Sequence, residues 1–157
     1  MLKLAGEALM GRSGHDAGRA LLARLYRQET GEILPEIAET ERGKPYFVTG
    51  NLHFSISHTK SHVFCALSDS PVGLDAEEMD REVNLRLAEK ILSESEKPRF
   101  EAAEDKKAAL LRLWVLKEAA AKLTGEGLKG YPNHTDFSPD DPRVTVTDGC
   151  YVAVLTK

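Results

Sequence analysis

The segment Val72-Gly73-Leu74-Asp75-Ala76-Glu77 carries two carboxylates two residues apart. On a strand successive side chains point to opposite faces, so Asp75 and Glu77 share one face while Val72, Leu74 and Ala76 take the other. The two acids stand about 6.5 Å apart along the backbone, and both can lean toward one hard cation that takes oxygen ligands at roughly 2.0 to 2.1 Å. Magnesium suits such a pair, although the same pattern describes a strand end whose acids merely face water. A third carboxylate, Glu118, lies in a helical stretch where Leu111, Trp114 or Val115, Glu118 and Lys122 fall on one stripe. If buried there, Glu118 must be paired or metal-bound. On a surface, Glu118 and Lys122 form an ordinary i,i+4 pair worth about 0.2 to 0.5 kcal/mol.

Two further groups could meet an anion. Ser57 and His58 end an alternating segment, where a loop can turn them toward a ligand or leave the histidine in a local hydrogen bond. Arg42 and Lys44 flank Gly43, and their cations together with backbone N–H donors could hold phosphate. An isolated Arg-Gly-Lys is equally a solvated turn.

Positioning these groups takes a mixed set of elements. Ala17, Ala20, Leu21 and Leu25 recur at helical spacing, which predicts a helix over 16–28 with Asp16 as N-cap. Arg42-Gly43-Lys44-Pro45 breaks the chain into a basic loop. Segments 53–57, 63–67 and 72–77 read as three successive strands, with Ser68-Asp69-Ser70-Pro71 as a turn. Residues 85–92 are helical, Ser93 caps another helix with Glu96 at its third position, and 106–124 is a long helix ended by Gly125-Glu126-Gly127. Two strands in the tail, 144–147 and 151–155, flank a turn at Asp148-Gly149.

With 157 residues and 41% hydrophobic content, the chain reads as one domain, 1–157, able to bury a core unaided. The 21 basic against 25 acidic side chains give a net charge of −4, so no nucleic-acid footprint is expected. Cys65 and Cys150 form no C-x-x-C pair, which argues against zinc or redox chemistry and suits a reducing, cytoplasmic setting; Cys65 belongs to the core. No segment approaches the roughly 18 to 20 apolar residues of a membrane span.

Taken together these segments resemble the 4′-phosphopantetheinyl transferase family. Its signature, V/I-G-x-D followed some forty residues later by W-x-x-K-E-A-x-x-K, is met by residues 72–77 and by Trp114-Val115-Leu116-Lys117-Glu118-Ala119-Ala120-Ala121-Lys122. Gly43-Lys44-Pro45, Phe54-Ser55-Ile56-Ser57-His58 and Gly125-Glu126-Gly127-Leu128 match its other elements in order. The resemblance covers about residues 16–128 and implies an α/β (α+β) fold of two small sheet-plus-helix halves related by a pseudo-two-fold. It implies transfer of 4′-phosphopantetheine from coenzyme A to a serine of an acyl or peptidyl carrier protein in fatty-acid, polyketide or nonribosomal-peptide synthesis. Mg2+ would be held by Asp75, Glu77 and Glu118, and coenzyme A by Arg19, Arg42, Lys44, Ser57, His58 and Lys122. Glu96 and Glu118 compete as the base. Against the larger, surfactin-type members the N-terminal half looks shortened, lacking a strand before the first helix. Since both halves of the site are present, a monomer with one site is expected. A non-catalytic protein of the same fold, binding coenzyme A or a carrier, is the alternative.

Overall fold

Strand, long helix and hairpin follow one another twice along the chain. A computed structural model describes residues 1–126 and 134–157. The first half comprises β1 (Leu2–Ala8), α1 (Gly14–Thr30), the short strands β2 (Ile37–Glu39) and β3 (Pro45–Phe47), and the hairpin β4 (His53–His58) and β5 (His62–Ser68). The second comprises β6 (Val72–Glu78), a 3-10 turn at Leu85–Leu87, α2 (Ala88–Ile91), α3 (Glu96–Glu101), α4 (Lys106–Thr124), and the hairpin β7 (Val144–Thr147) and β8 (Cys150–Thr156). In each half the last strand lies between the first and the penultimate, giving the antiparallel orders β1-β5-β4 and β6-β8-β7.

α1 buries Ala17, Leu21, Leu22, Leu25 and Tyr26 against β4 and β5. Its start is two residues earlier than the sequence suggests: Ser13, not Asp16, is the N-cap, and its hydroxyl accepts from the Asp16 amide at 3.1 Å. Asp16 instead sits in the first turn, where the helix dipole favours an anion. α4 has the bounds expected of it, with Asp105 as its cap and Gly125 closing it at φ 75°. Leu111, Val115, Leu116 and Ala119 pack it on β8 residues Ala153 and Leu155. Each such leucine, removed from water, contributes about 1.5–3 kcal/mol. A third cluster, Phe64, Ala66, Val72, Leu74, Ala76 and Val152, joins the two sheets face to face.

Three expectations change. A strand does precede the first helix, β1, paired with β5 along its length. Arg42 to Pro45 is the turn of the β2–β3 hairpin rather than an open loop, with Gly43 at φ 87°. Residues 85–92 break into a 3-10 turn and a single α-helical turn, because Leu85 and Leu87 remain exposed and find no surface to bury on. Gly127 and Leu128, part of the expected Gly-x-Gly-Leu element, lie outside the described residues.

Candidate active site between the two halves

The site begins with a glycine. A Cβ on Gly73 would lie 2.0 Å from the Ala119 carbonyl oxygen and 2.5 Å from the Leu123 nitrogen, so only a bare Cα lets α4 descend onto β6. That approach brings α4 side chains against the acidic face of β6. Lys122 Nζ reaches Asp75 Oδ1 at 3.2 Å and the Ile56 carbonyl at 3.3 Å.

Serines of β4 tie the two sheets together where no backbone ladder joins them. Ser55 Oγ accepts from the Leu74 amide at 2.9 Å, and Ser57 Oγ accepts from the Ala76 amide at 3.2 Å while donating to Asp75 Oδ1 at 3.1 Å. Ser57 is therefore buried and committed to Asp75. His58, one residue on, is exposed at the strand end with its ring against Gly14.

Burial disturbs all three carboxylates of the expected metal set, and repulsion from a neighbouring acid adds to it at Glu77 and Glu118. Burial raises Asp75, against the opposing pull of Lys122 and Ser57. Glu77 is raised by burial and by Asp75, although Arg81 at 2.5 Å and the Trp114 indole N–H oppose this. Glu118 is pushed up to about 6 by burial and then by the charges of Asp75 and Glu77, with Lys122 pulling the other way. The carboxylates thus feel one another without being drawn to ligand spacing. Among the described residues, the set whose ligating atoms all lie within 4.8 Å of one another is instead His62, Glu78 and Cys150, around the other face of β6. Three hard carboxylate donors, two of them raised by the charge of Asp75, fit Mg2+, because a divalent cation relieves that repulsion and offsets the burial of the anions.

Beside them a cleft of about 250 Å³ is lined by Arg42, Lys44, Phe54, Ile56, Glu118 and Lys122, among others. Lys44 Nζ donates to the Leu123 carbonyl at 2.8 Å and Arg42 to the Glu126 carbonyl at 3.2 Å, cations at the negative end of α4. Burial, with some help from Lys157, pulls the Lys44 ammonium down. Arg19 sits half-buried on α1 and forms no hydrogen bond or ion pair with another described residue.

Glu96 is in a different place. It is wholly buried, 2.5 Å from the ammonium of Lys117, which leaves α4 on another face from Glu118. Its carboxylate also accepts from the Ser93 amide, the Thr135 hydroxyl and the Phe137 amide, and the Ser93 hydroxyl accepts from the Glu96 amide; these are the reciprocal bonds of a capping box, but α3 begins at Glu96 with Ser95 as its N-cap, not at the turn that Ser93 as cap would start. Burial pushes Glu96 up, but Lys117 and the two amides outweigh it and hold the acid below the usual carboxylate range. Reading the residues for their chemistry singled out neither Lys117 nor Gly73. A lysine following Leu110 and Leu113 by seven and four residues, both buried, was the available sign that a counter-ion was required.

The family model of the 4′-phosphopantetheinyl transferase superfamily matches residues 71–150, just over half of the chain. The chain belongs to that superfamily. Its two strand–helix–hairpin halves are those of the superfamily's mixed α/β fold. Among curated relatives, it is similar to the 4′-phosphopantetheinyl transferase psf-1 of Bacillus pumilus, 36% identical over 115 residues, which cover 70% of this chain and 49% of that one. It is also similar to AcpT of Salmonella typhimurium, 39% identical over 114 residues, 69% of this chain and 57% of the relative. With gsp of Aneurinibacillus migulanus it shares 36% identity over 92 residues, 57% and 38% of the two chains. The chain thus spans about half the length of the curated relatives it matches. No helix among the described residues is long and apolar enough to cross a membrane.

Proposed function

We propose that the chain transfers 4′-phosphopantetheine from coenzyme A to a serine hydroxyl of an acyl or peptidyl carrier protein, releasing 3′,5′-ADP. The observation that carries this is the meeting, within the second half, of Asp75 and Glu77 on β6 with Glu118 and Lys122 on α4, beside a cleft whose other wall, from the first half, offers Lys44 and Arg42. A cluster of acids next to a cluster of bases suits a pyrophosphate and the cation that accompanies it.

Asp75, Glu77 and Glu118 would hold Mg2+, which when bound supplies positive charge to the pyrophosphate. Lys44, Arg42 and Lys122 orient the phosphates, and Lys122 can exchange Asp75 for a phosphate oxygen. His58 and Arg19 extend the coenzyme A contacts along β4 and α1, with Ser57 fixing Asp75 from beneath. The incoming serine must lose a proton as its oxygen attacks phosphorus. Glu118 is placed to accept it, directly or through water, since its side chain lines the cleft beside Lys122, where the phosphates would lie. Glu96, with both oxygens engaged, serves instead to anchor Lys117 and hence α4. Because each chain carries both sides of the cleft, one site per chain is expected, and a monomer suffices.

Release of 3′,5′-ADP from coenzyme A, measured with and without an apo-carrier protein, tests the proposal. Release that requires both the carrier and Mg2+ supports it. Coenzyme A binding with no release on any carrier class would make the chain a binding protein.

A further inference from the structure

Glu77 and Glu78 leave β6 on opposite faces. Glu77 joins Asp75, whereas Glu78 turns toward the apolar seam between the sheets, where Phe64, Ala76 and Val152 pack. There it meets His62 at the start of β5 and Cys150, its register partner at the start of β8. One ligating atom from each of the three lies within 4.8 Å of the other two, and among the described residues no other group of three His, Cys, Asp or Glu does so.

The three are held by strands and turns rather than left on flexible loops. Cys150 is 0% exposed and follows the Asp148-Gly149 turn, whose positive φ values of 52° and 76° fix where β8 begins. Its Sγ lies 3.7 Å from Glu78 Oε2. The other carboxylate oxygen accepts from Thr59 Oγ1 at 2.7 Å, from the Ser61 amide at 3.2 Å and from the Ser61 hydroxyl. That hydroxyl is also 2.7 Å from His62 Nδ1, so one serine orients two of the three groups. Outer partners of this kind are what orient ligands in metal sites.

We propose that His62, Glu78 and Cys150 bind a divalent cation of the zinc class, separate from the carboxylate set on the opposite face of β6. Sulfur, imidazole and carboxylate are together a donor set for a borderline ion, whereas Mg2+ prefers oxygen alone. Tetrahedral bonds of about 2.0 to 2.3 Å place ligand atoms roughly 3.5 Å apart, so the group needs to contract by little more than about 1 Å. His62 and Glu78 are only half-buried, leaving a side open for water as fourth ligand. Binding forms a metal–sulfur bond and releases the thiol proton of Cys150 to solvent. The ion ties β5 of one half to β6 and β8 of the other. The absence of a C-x-x-C pair excludes only sites built on two nearby cysteines. A nucleophilic role for Cys150 is disfavoured, because its sulfur is wholly buried and it does not line the cleft.

Cobalt(II) is the probe, titrated into the metal-free chain in buffer containing excess Mg2+ and followed by absorption. The expected result is one equivalent bound with a near-ultraviolet thiolate-to-cobalt band, displaced by Zn2+, together with a Zn2+-dependent rise in melting temperature. Cys150→Ser and His62→Gln should each weaken binding about 100-fold and remove the band, while Glu118→Gln keeps both. Metal-free melts establish that each variant folds; if Cys150→Ser does not, the half-buried His62 carries the test. The proposal is overturned if wild-type chain gives no thiolate band, if the band survives His62→Gln or Cys150→Ser, or if binding is lost in Glu118→Gln instead.

Discussion

Replacing Gly73 by alanine tests how the site is assembled. The added Cβ would sit 2.0 Å from the Ala119 oxygen and 2.5 Å from the Leu123 nitrogen, the two ends of one α4 backbone hydrogen bond. Ordinary contact begins near 3.4 Å, so α4 must withdraw by about 1.4 Å, and no side-chain rotation relieves it. Overpacking of this kind costs about 1–3 kcal/mol. Withdrawal stretches the 3.2 Å Lys122–Asp75 pair beyond ion-pair range and carries Glu118 away from β6. Since a 1 Å misplacement can cost about 100-fold in rate, Gly73→Ala should lose about 100-fold in transfer while still melting cooperatively a few degrees lower. The assay is initial transfer rate with calorimetry on the same sample. Trimming Ala119 to glycine should not rescue it, because the clash is with backbone. Turnover within twofold of wild type would refute the claim that this close approach positions the site.

Other consequences concern charge. Glu118 titrates at about 6 in the fold against an ordinary 4.5, so the stability it contributes is present below the ordinary value and is lost as pH rises through about 6. The loss amounts to at most about 2 kcal/mol, less after solvent screening. Mg2+ competes with that proton, so its stabilising effect in a thermal melt should grow from about pH 5 to pH 7, and Glu118→Gln should flatten the dependence. Glu96→Gln leaves Lys117 buried without its counter-ion and should cost about 3–5 kcal/mol by denaturant unfolding, most of it recovered in the Glu96→Gln/Lys117→Met double variant. Normal stability with abolished transfer would return Glu96 to the role of base. Lys44→Ala and His58→Ala should weaken coenzyme A binding by calorimetry about tenfold or more, with the carrier's KM little changed; a larger effect on the carrier would move them to the docking surface.

β6 and α4, which hold the acids, were legible in the sequence because their periodicities are clean: strict alternation from Val72 to Glu77, and buried leucines recurring through 106–124. The reciprocal Ser93–Glu96 bonds were legible because they join residues three apart, although the helix itself starts at Glu96, two residues later than Ser93 as cap implies. β1 was not, because it is an edge strand whose Leu2 and Leu4 stay exposed and whose alternation is interrupted by Gly6, where a Cβ would come within 2.7 Å of the Phe64 ring. β2 and β3, at three residues each, are too short to show a period. Of the site, residue types and spacing indicated which carboxylates could cooperate. That Lys122 would hold Asp75, that Lys117 would neutralise Glu96, and that Cys150 would face Glu78 all depend on register and helix approach, which link residues far apart in the chain.

The most direct measurement of the central claim is intact mass spectrometry of apo-carrier proteins from fatty-acid, polyketide and nonribosomal-peptide systems, each incubated with the chain, coenzyme A and Mg2+. At least one carrier should gain the mass of a single phosphopantetheine on its serine, and the gain should disappear with folded Asp75→Asn or Glu118→Gln. An unmodified mass for every carrier in the presence of folded, coenzyme A-binding chain, or a gain undiminished in both variants, would contradict the account.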